Sequence, residues 1–121
     1  MIEGQLLNIM AARRWENETD EQQPYEYTDV SNYDLLVAHI NVLYASPVDC
    51  KVIFKTGMYR RADKMVTMKN YDITSDDVIY PFILGRDGGQ DSNTHLGKWL
   101  CVGWEGGSSN IAVVQITGVG R

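Results

Sequence analysis

Apolar residues concentrate in two parts of the chain, and the first of them alternates in part. In Asn32–Ala45, NYDLLVAHINVLYA, the set Leu36, Ala38, Ile40, Val42 and Tyr44 is almost wholly apolar, while the other set includes His39 and Asn41. This period of two, rich in β-branched residues and stopped at Ser46-Pro47, predicts a central strand. Near the end, Lys98–Trp104 and Asn110–Thr117 form two further runs around the polar break EGGSSN. Glycine supplies the positive φ that tight turns use, so the break predicts a hairpin.

Shorter segments fill the interval. Cys50–Lys55 and Met65–Lys69 are short strands. Thr56-Gly57 and Ala62–Lys64 read as turns on either side of Met58–Arg61. Asn70–Asp77 is a loop. Val78–Leu84 carries Pro81, which cannot donate to a ladder and so favours an edge strand. Gly85–Gly97 is a long polar loop. At the start, Ile2–Trp15 fits a short helix or an opening strand, because Leu6, Leu7, Met10 and Ala11 have helical spacing. Glu16–Tyr27, ENETDEQQPYEY, is polar and broken by Pro24, which predicts an exposed arm.

Roughly seven short strands with no convincing helix after residue 15 imply a mainly all-β fold. It is either an antiparallel β-sandwich, of which a jelly roll is one form, or a small barrel. An N-terminal segment and acidic arm, 1–31, would precede a β-domain, 32–121.

Composition changes this picture little. The chain has 121 residues, 44% of them hydrophobic and 22% charged, as in an ordinary globular domain. No apolar run reaches the roughly 20 residues of a membrane helix, and no basic leader precedes the first apolar stretch, so neither a membrane nor export is expected. Cys50 and Cys101 match no metal motif and read as buried reduced thiols, with a bridge between them as the alternative.

The distribution of charge changes it more. Net charge is −5. Residues 1–34 hold eight acids against two arginines, and 35–121 hold eight acids against nine bases. Lys51, Lys55, Arg60, Arg61, Lys64 and Lys69 stand within 51–69 against Asp63 alone. The acidic arm is therefore complementary to the basic segment, in the same chain or in a neighbouring copy. The expected contact residues are Glu16, Glu18, Asp20, Glu21, Tyr25 and Tyr27 on one side and Arg60, Arg61 and Lys64 on the other. The overall acidity opposes direct binding of nucleic acid.

Candidate chemistry is thin. His39 and His95 belong to no close-spaced metal set, and no phosphate loop or GxSxG is present. Asp87, Asp91 and Asn93 offer oxygen to calcium but lack the EF-hand order. Asp76 and Asp77, adjacent on an extended chain, point to opposite faces. No catalytic residue, metal or cofactor is expected.

In texture, the acidic segment ENETDEQQPYEY, the compact strands KVIFKTG and VIYPFILGR and the closing WLCVGWEGGSSNIAVVQITG resemble small β-rich structural proteins of tailed bacteriophages, especially capsid decoration or cement proteins. The resemblance implies a non-enzymatic virion protein, made in the host cytoplasm and placed on the capsid surface. As a homo-oligomer it would bind and stabilise neighbouring coat subunits. Two other functions fit the same residues: a carbohydrate- or ligand-binding β-sandwich using the 85–97 loop and exposed aromatics, and a small-barrel hydrolase or isomerase in which His39 or His95 meets a carboxylate.

Overall fold

The computed structural model describes residues 4–16, 26–46, 50–73, 79–85, 96–106 and 111–121. Eight strands form two four-stranded antiparallel sheets packed face to face as a β-sandwich, and neither sheet closes into a barrel. The strands are β1 (Gln5–Glu16), β2 (Tyr27–Asp29), β3 (Leu35–Ser46), β4 (Cys50–Gly57), β5 (Val66–Ile73), β6 (Ile79–Gly85), β7 (Trp99–Gly106) and β8 (Ile111–Gly120). One sheet has the order β1-β8-β3-β6 and the other β2-β7-β4-β5.

The order follows one rule. β4 pairs with β5, β3 with β6, β2 with β7 and β1 with β8. The chain is thus one long hairpin, turned at β4–β5 and rolled so that successive pairs alternate between sheets. Two cross-links, β3 with β8 and β4 with β7, complete the sheets. This is the jelly roll, the eight-stranded double Greek key.

Register decides which residues enter the core. β8 alternates without a fault, and Ala112, Val114 and Ile116 point inward. β3 alternates from Leu36 to Val42 and then slips at a β-bulge between Val42 and Tyr44. After the bulge Tyr44 is exposed and Ala45 is buried, which reverses the inward placing expected of Tyr44. In the other sheet, Phe54, Leu100, Val102 and Trp104 supply the facing layer.

Residues 5–16 are a strand, not a helix. β1 pairs with β8 but carries two register shifts, between Asn8 and Met10 and between Met10 and Arg13. The shifts bury the neighbours Ile9 and Met10 together and then bury Trp15. Of the four residues with helical spacing only Met10 is buried, while Leu6 and Ala11 are exposed, so that spacing does not mark the buried face. Trp15 stacks on Trp104 of the opposite sheet, with centroids 5.8 Å apart and planes at 11°, and this contact clamps the two sheets. The boundary expected at residues 31 and 32 falls after two strands that belong to the sandwich.

Three local expectations are corrected. EGGSSN does not join a hairpin: β7 and β8 lie in different sheets, so this segment links one layer to the other. Thr56-Gly57 closes β4 instead of forming a turn, and the reversal takes place over Met58–Met65, with a single 3-10 turn at Ala62–Lys64. β5 runs on through Asn70–Ile73, where a loop was expected. β6 is the terminal strand of its sheet, the position that Pro81 calls for.

Cys50 and Cys101 are both buried and form no disulfide. The loop residues Asp76, Asp77, Asp87, Asp91, Asn93 and His95 lie outside the described residues. His39 lies in β3 between the buried Ala38 and Ile40, on the face turned away from the core.

Candidate functional site

Leu6 in β1 and Leu43 and Tyr44 in β3 are exposed singly or as a pair, and a larger group of features that stand apart from the packed core gathers where β2, the end of β4 and the start of β7 meet. The pairing places them. Tyr27 lies opposite Cys101, Asp29 opposite Trp99, and Gly57 opposite Trp99 from the other side. The residues after Gly57 therefore start beside Trp99. The Met58–Arg60 bend then returns the Arg60 guanidinium to 5.1 Å from the centroid of the Tyr27 ring and 5.8 Å from that of Trp99. Lys98 Nζ lies 5.7 Å from the same Trp99 ring. All three distances fall within the range in which a cation is attracted to a ring face.

Hydrogen bonds fix this corner. The Ala62 N–H donates to the Tyr27 hydroxyl at 3.2 Å, tying β2 to the β4–β5 connection. Thr56, the one buried polar side chain among the described residues, donates to the Trp99 carbonyl at 2.9 Å and accepts from the Gly97 N–H at 2.7 Å. The Lys98 N–H donates to the Gly57 carbonyl at 3.0 Å. A Cβ on Gly97 would lie 2.7 Å from that carbonyl oxygen, so this close approach of two chain segments requires glycine.

Around the corner, large apolar side chains face solvent. Met58 is 66% exposed, Tyr59 67% and Val66 57%. Val66 pairs with Thr56 and so sits beside the bend. Arg61 is held in a two-point ion pair with Asp63, at 2.7 and 3.1 Å. Lys64 is exposed and forms no ion pair among the described residues. The result is an apolar rim with cations on it.

An open cleft of about 320 Å³ lies on the other side of Tyr27, between the edge strands β1 and β2. It is lined by Asn8, Ile9, Ala11, Glu26, Tyr27, Thr28 and Arg60. On the outer side of β2, Ser31 donates to the Asp29 carboxylate from its hydroxyl at 2.6 Å and from its N–H at 2.9 Å. These two bonds, the hydroxyl first, hold the Asp29 carboxyl below the usual aspartate value.

Of the contact residues expected from sequence, Tyr27 and Arg60 meet, Arg61 and Lys64 flank them, and Arg61 is taken by Asp63. Glu16 is placed by its backbone, opposite Ile111 at the far end of β1. Glu18, Asp20, Glu21 and Tyr25 lie outside the described residues. Sequence reasoning missed Trp99, Lys98 and Glu26 as neighbours of Arg60. The signal available was the aromatic–basic pair Lys98-Trp99 at the mouth of a strand, but only long-range pairing brings it to Arg60.

Among the described residues no group of three or more His, Cys, Asp or Glu side chains could hold a metal ion. The chain matches no protein-family model and no curated protein sequence.

Proposed function

We propose that this jelly roll is a non-enzymatic structural protein of a virion. On this reading it is a capsid decoration or cement protein that works as a homo-oligomer on the coat surface and clips neighbouring subunits together. The observation that supports it is the solvent-facing group Met58, Tyr59 and Val66, placed beside Arg60, Arg61 and Lys64 at the β4–β5 connection. Aromatic residues, methionine and arginine are enriched at the centres of protein interfaces. The fold adds weight without deciding the role, since jelly rolls serve viral coats and lectins alike.

The complementary partner surface is acidic. In the sequence, Glu16, Glu18, Asp20, Glu21 and Glu26 stand together with no intervening base, so a second copy carries the charge that the basic rim attracts. Such pairing sets register and association rate more than affinity, which the apolar residues supply.

Sedimentation velocity from low to high salt tests the proposal. The protein should sediment as an oligomer that weakens as salt rises, and Tyr59→Ser together with Met58→Ser should leave a folded monomer. A monomer at every salt concentration overturns the proposal.

A further inference from the structure

The cleft between β1 and β2 adjoins the apolar rim at Arg60, and its other walls have their own chemistry. We infer that it binds a carbohydrate, through hydroxyl groups that bridge Glu26 and Arg60.

Several observations converge there. The two register shifts of β1 flank Met10, beside the wall residues Asn8, Ile9 and Ala11. Bulges re-aim side chains, and they concentrate next to binding sites. Glu26 forms one wall, and its Oε2 atom is shut off from solvent with no hydrogen-bond donor. A carboxylate oxygen in that state is costly, and native proteins seldom leave one so. Arg60 forms part of the same lining, yet the two side chains make no ion pair. Among the described residues Glu26 Oε2 therefore has no donor, and since a water-sized group does not reach it as it stands, the side chain must turn into the cleft to meet a ligand.

This charge arrangement selects the ligand. An anion drawn to Arg60 meets Glu26, and a cation drawn to Glu26 meets Arg60. A neutral molecule with many hydroxyl groups suits both, because each hydroxyl donates to a carboxylate and accepts from a guanidinium. Asn8 adds a donor and an acceptor on one amide, and Thr28 adds another hydroxyl. Ile9 and Ala11 supply an apolar wall for the C–H face of a sugar ring. The volume, about 320 Å³, sits at the small end of known ligand sites and fits a single sugar unit better than a long chain. The inference does not depend on the virion reading.

Titration of the isotope-labelled full chain with methyl glycosides of glucose, galactose, mannose and N-acetylglucosamine tests it, followed by amide chemical shifts. At least one glycoside should move the resonances of residues 8–11 and 26–28. Glu26→Gln should weaken that binding about tenfold or more, the usual loss for a hydrogen bond to a charged group, and Asn8→Ala should also weaken it. Glu26→Gln should melt at or above the parent, since it removes a buried charged oxygen that has no donor, and Asn8→Ala should melt as the parent does, since Asn8 is exposed. Tyr59→Ser should leave sugar binding unchanged, which separates this site from the rim. The inference is overturned if no glycoside moves those resonances, if the zwitterions glycine and γ-aminobutyrate move them and the sugars do not, or if Glu26→Gln binds as the parent does.

Discussion

Thr56→Val is the sharpest perturbation of the corner that carries both surfaces. Valine keeps the shape of threonine and removes only the hydroxyl. In the folded protein Thr56 is 1% exposed, and its Oγ1 joins the Trp99 carbonyl and the Gly97 N–H at 2.9 and 2.7 Å. The substitution takes away an acceptor from one main-chain group and a donor from another, at a place with little access to water. A buried polar group deprived of its partner costs about 1–3 kcal/mol, the N–H toward the upper end. Gain of an apolar methyl returns under ~1 kcal/mol. The net loss is about 2–4 kcal/mol. For a chain of this length each kcal/mol lowers Tm by roughly 4 °C, so Tm falls by roughly 8–16 °C.

Thr56→Ser is the control: it keeps both bonds and loses one methyl, about 1 kcal/mol. Urea unfolding followed by tryptophan fluorescence measures both variants, and an unchanged m-value certifies that the midpoint shift is a stability change. The predicted order is Thr, then Ser, then Val. If Val equals the parent, or exceeds Ser, the hydroxyl does not pin β7 to β4 and the account of this corner fails.

Other consequences follow from the same contacts. Trp15→Ala should cost about 3–5 kcal/mol in chemical unfolding, because it empties the stack on Trp104. Trp15→Phe should cost less than Trp15→Ala, since a ring remains against Trp104 and the indole Nε1 has no hydrogen-bond partner to lose. Gly97→Ala should destabilise more than an exposed Gly→Ala change, as its Cβ would meet the Gly57 carbonyl; calorimetric melting decides it. The Asp29 carboxyl should titrate below the ordinary value of about 3.9 and return toward it in Ser31→Ala, read by carbon NMR. Because its folded value is the lower one, its contribution to stability is full above the unfolded value and fades as pH falls through the folded value.

The parts of the fold that the sequence reveals are those where period two runs unbroken. Burial alternates through the whole of β8, whose apolar run IAVVQIT is plain in the sequence, and from Leu36 to Val42 in β3. Where a bulge intervenes, the pattern misleads. In β1 two shifts leave Ile9, Met10 and Trp15 buried at spacings of one and five, so alternation is lost and a helix competes with a strand in the sequence. In β5 the polar Asn70 and Asp72 lie on the outer face of an edge strand, opposite Ile53 and Lys51, while Tyr71 and Ile73 face inward. That edge resembles a loop because solvent, not a neighbouring strand, covers it. EGGSSN signals a chain reversal but says nothing of which sheet the next strand joins, so a crossing between layers reads as a hairpin. The rim cations Arg60, Arg61 and Lys64 are visible as local charge. Trp99 and Glu26 are not, since a contact across β2, β4 and β7 depends on pairings distant in sequence. Deleting residues 1–27 as a dispensable arm would remove Ile9, Met10 and Trp15 from the core.

The rolled-hairpin topology also explains why the two proposed surfaces adjoin. β1 and β2 are the outer strands of different sheets on one side of the sandwich. β2 is only three residues long and β1 is twelve, so the second sheet is short beside the first and a cleft remains between their edges. The β4–β5 connection reaches back over β2 to close one end of that cleft, and the residue that reaches is Arg60. Its guanidinium rests between the Tyr27 and Trp99 rings on the boundary of rim and cleft. A change at Arg60 therefore alters both surfaces, and lysine is no substitute because a compact ammonium lacks the flat face that lies over two rings. Loss of function in Arg60→Ala would thus assign nothing by itself. Glu26 and Tyr59 lie on either side of it, and only their separate variants can divide assembly from sugar binding.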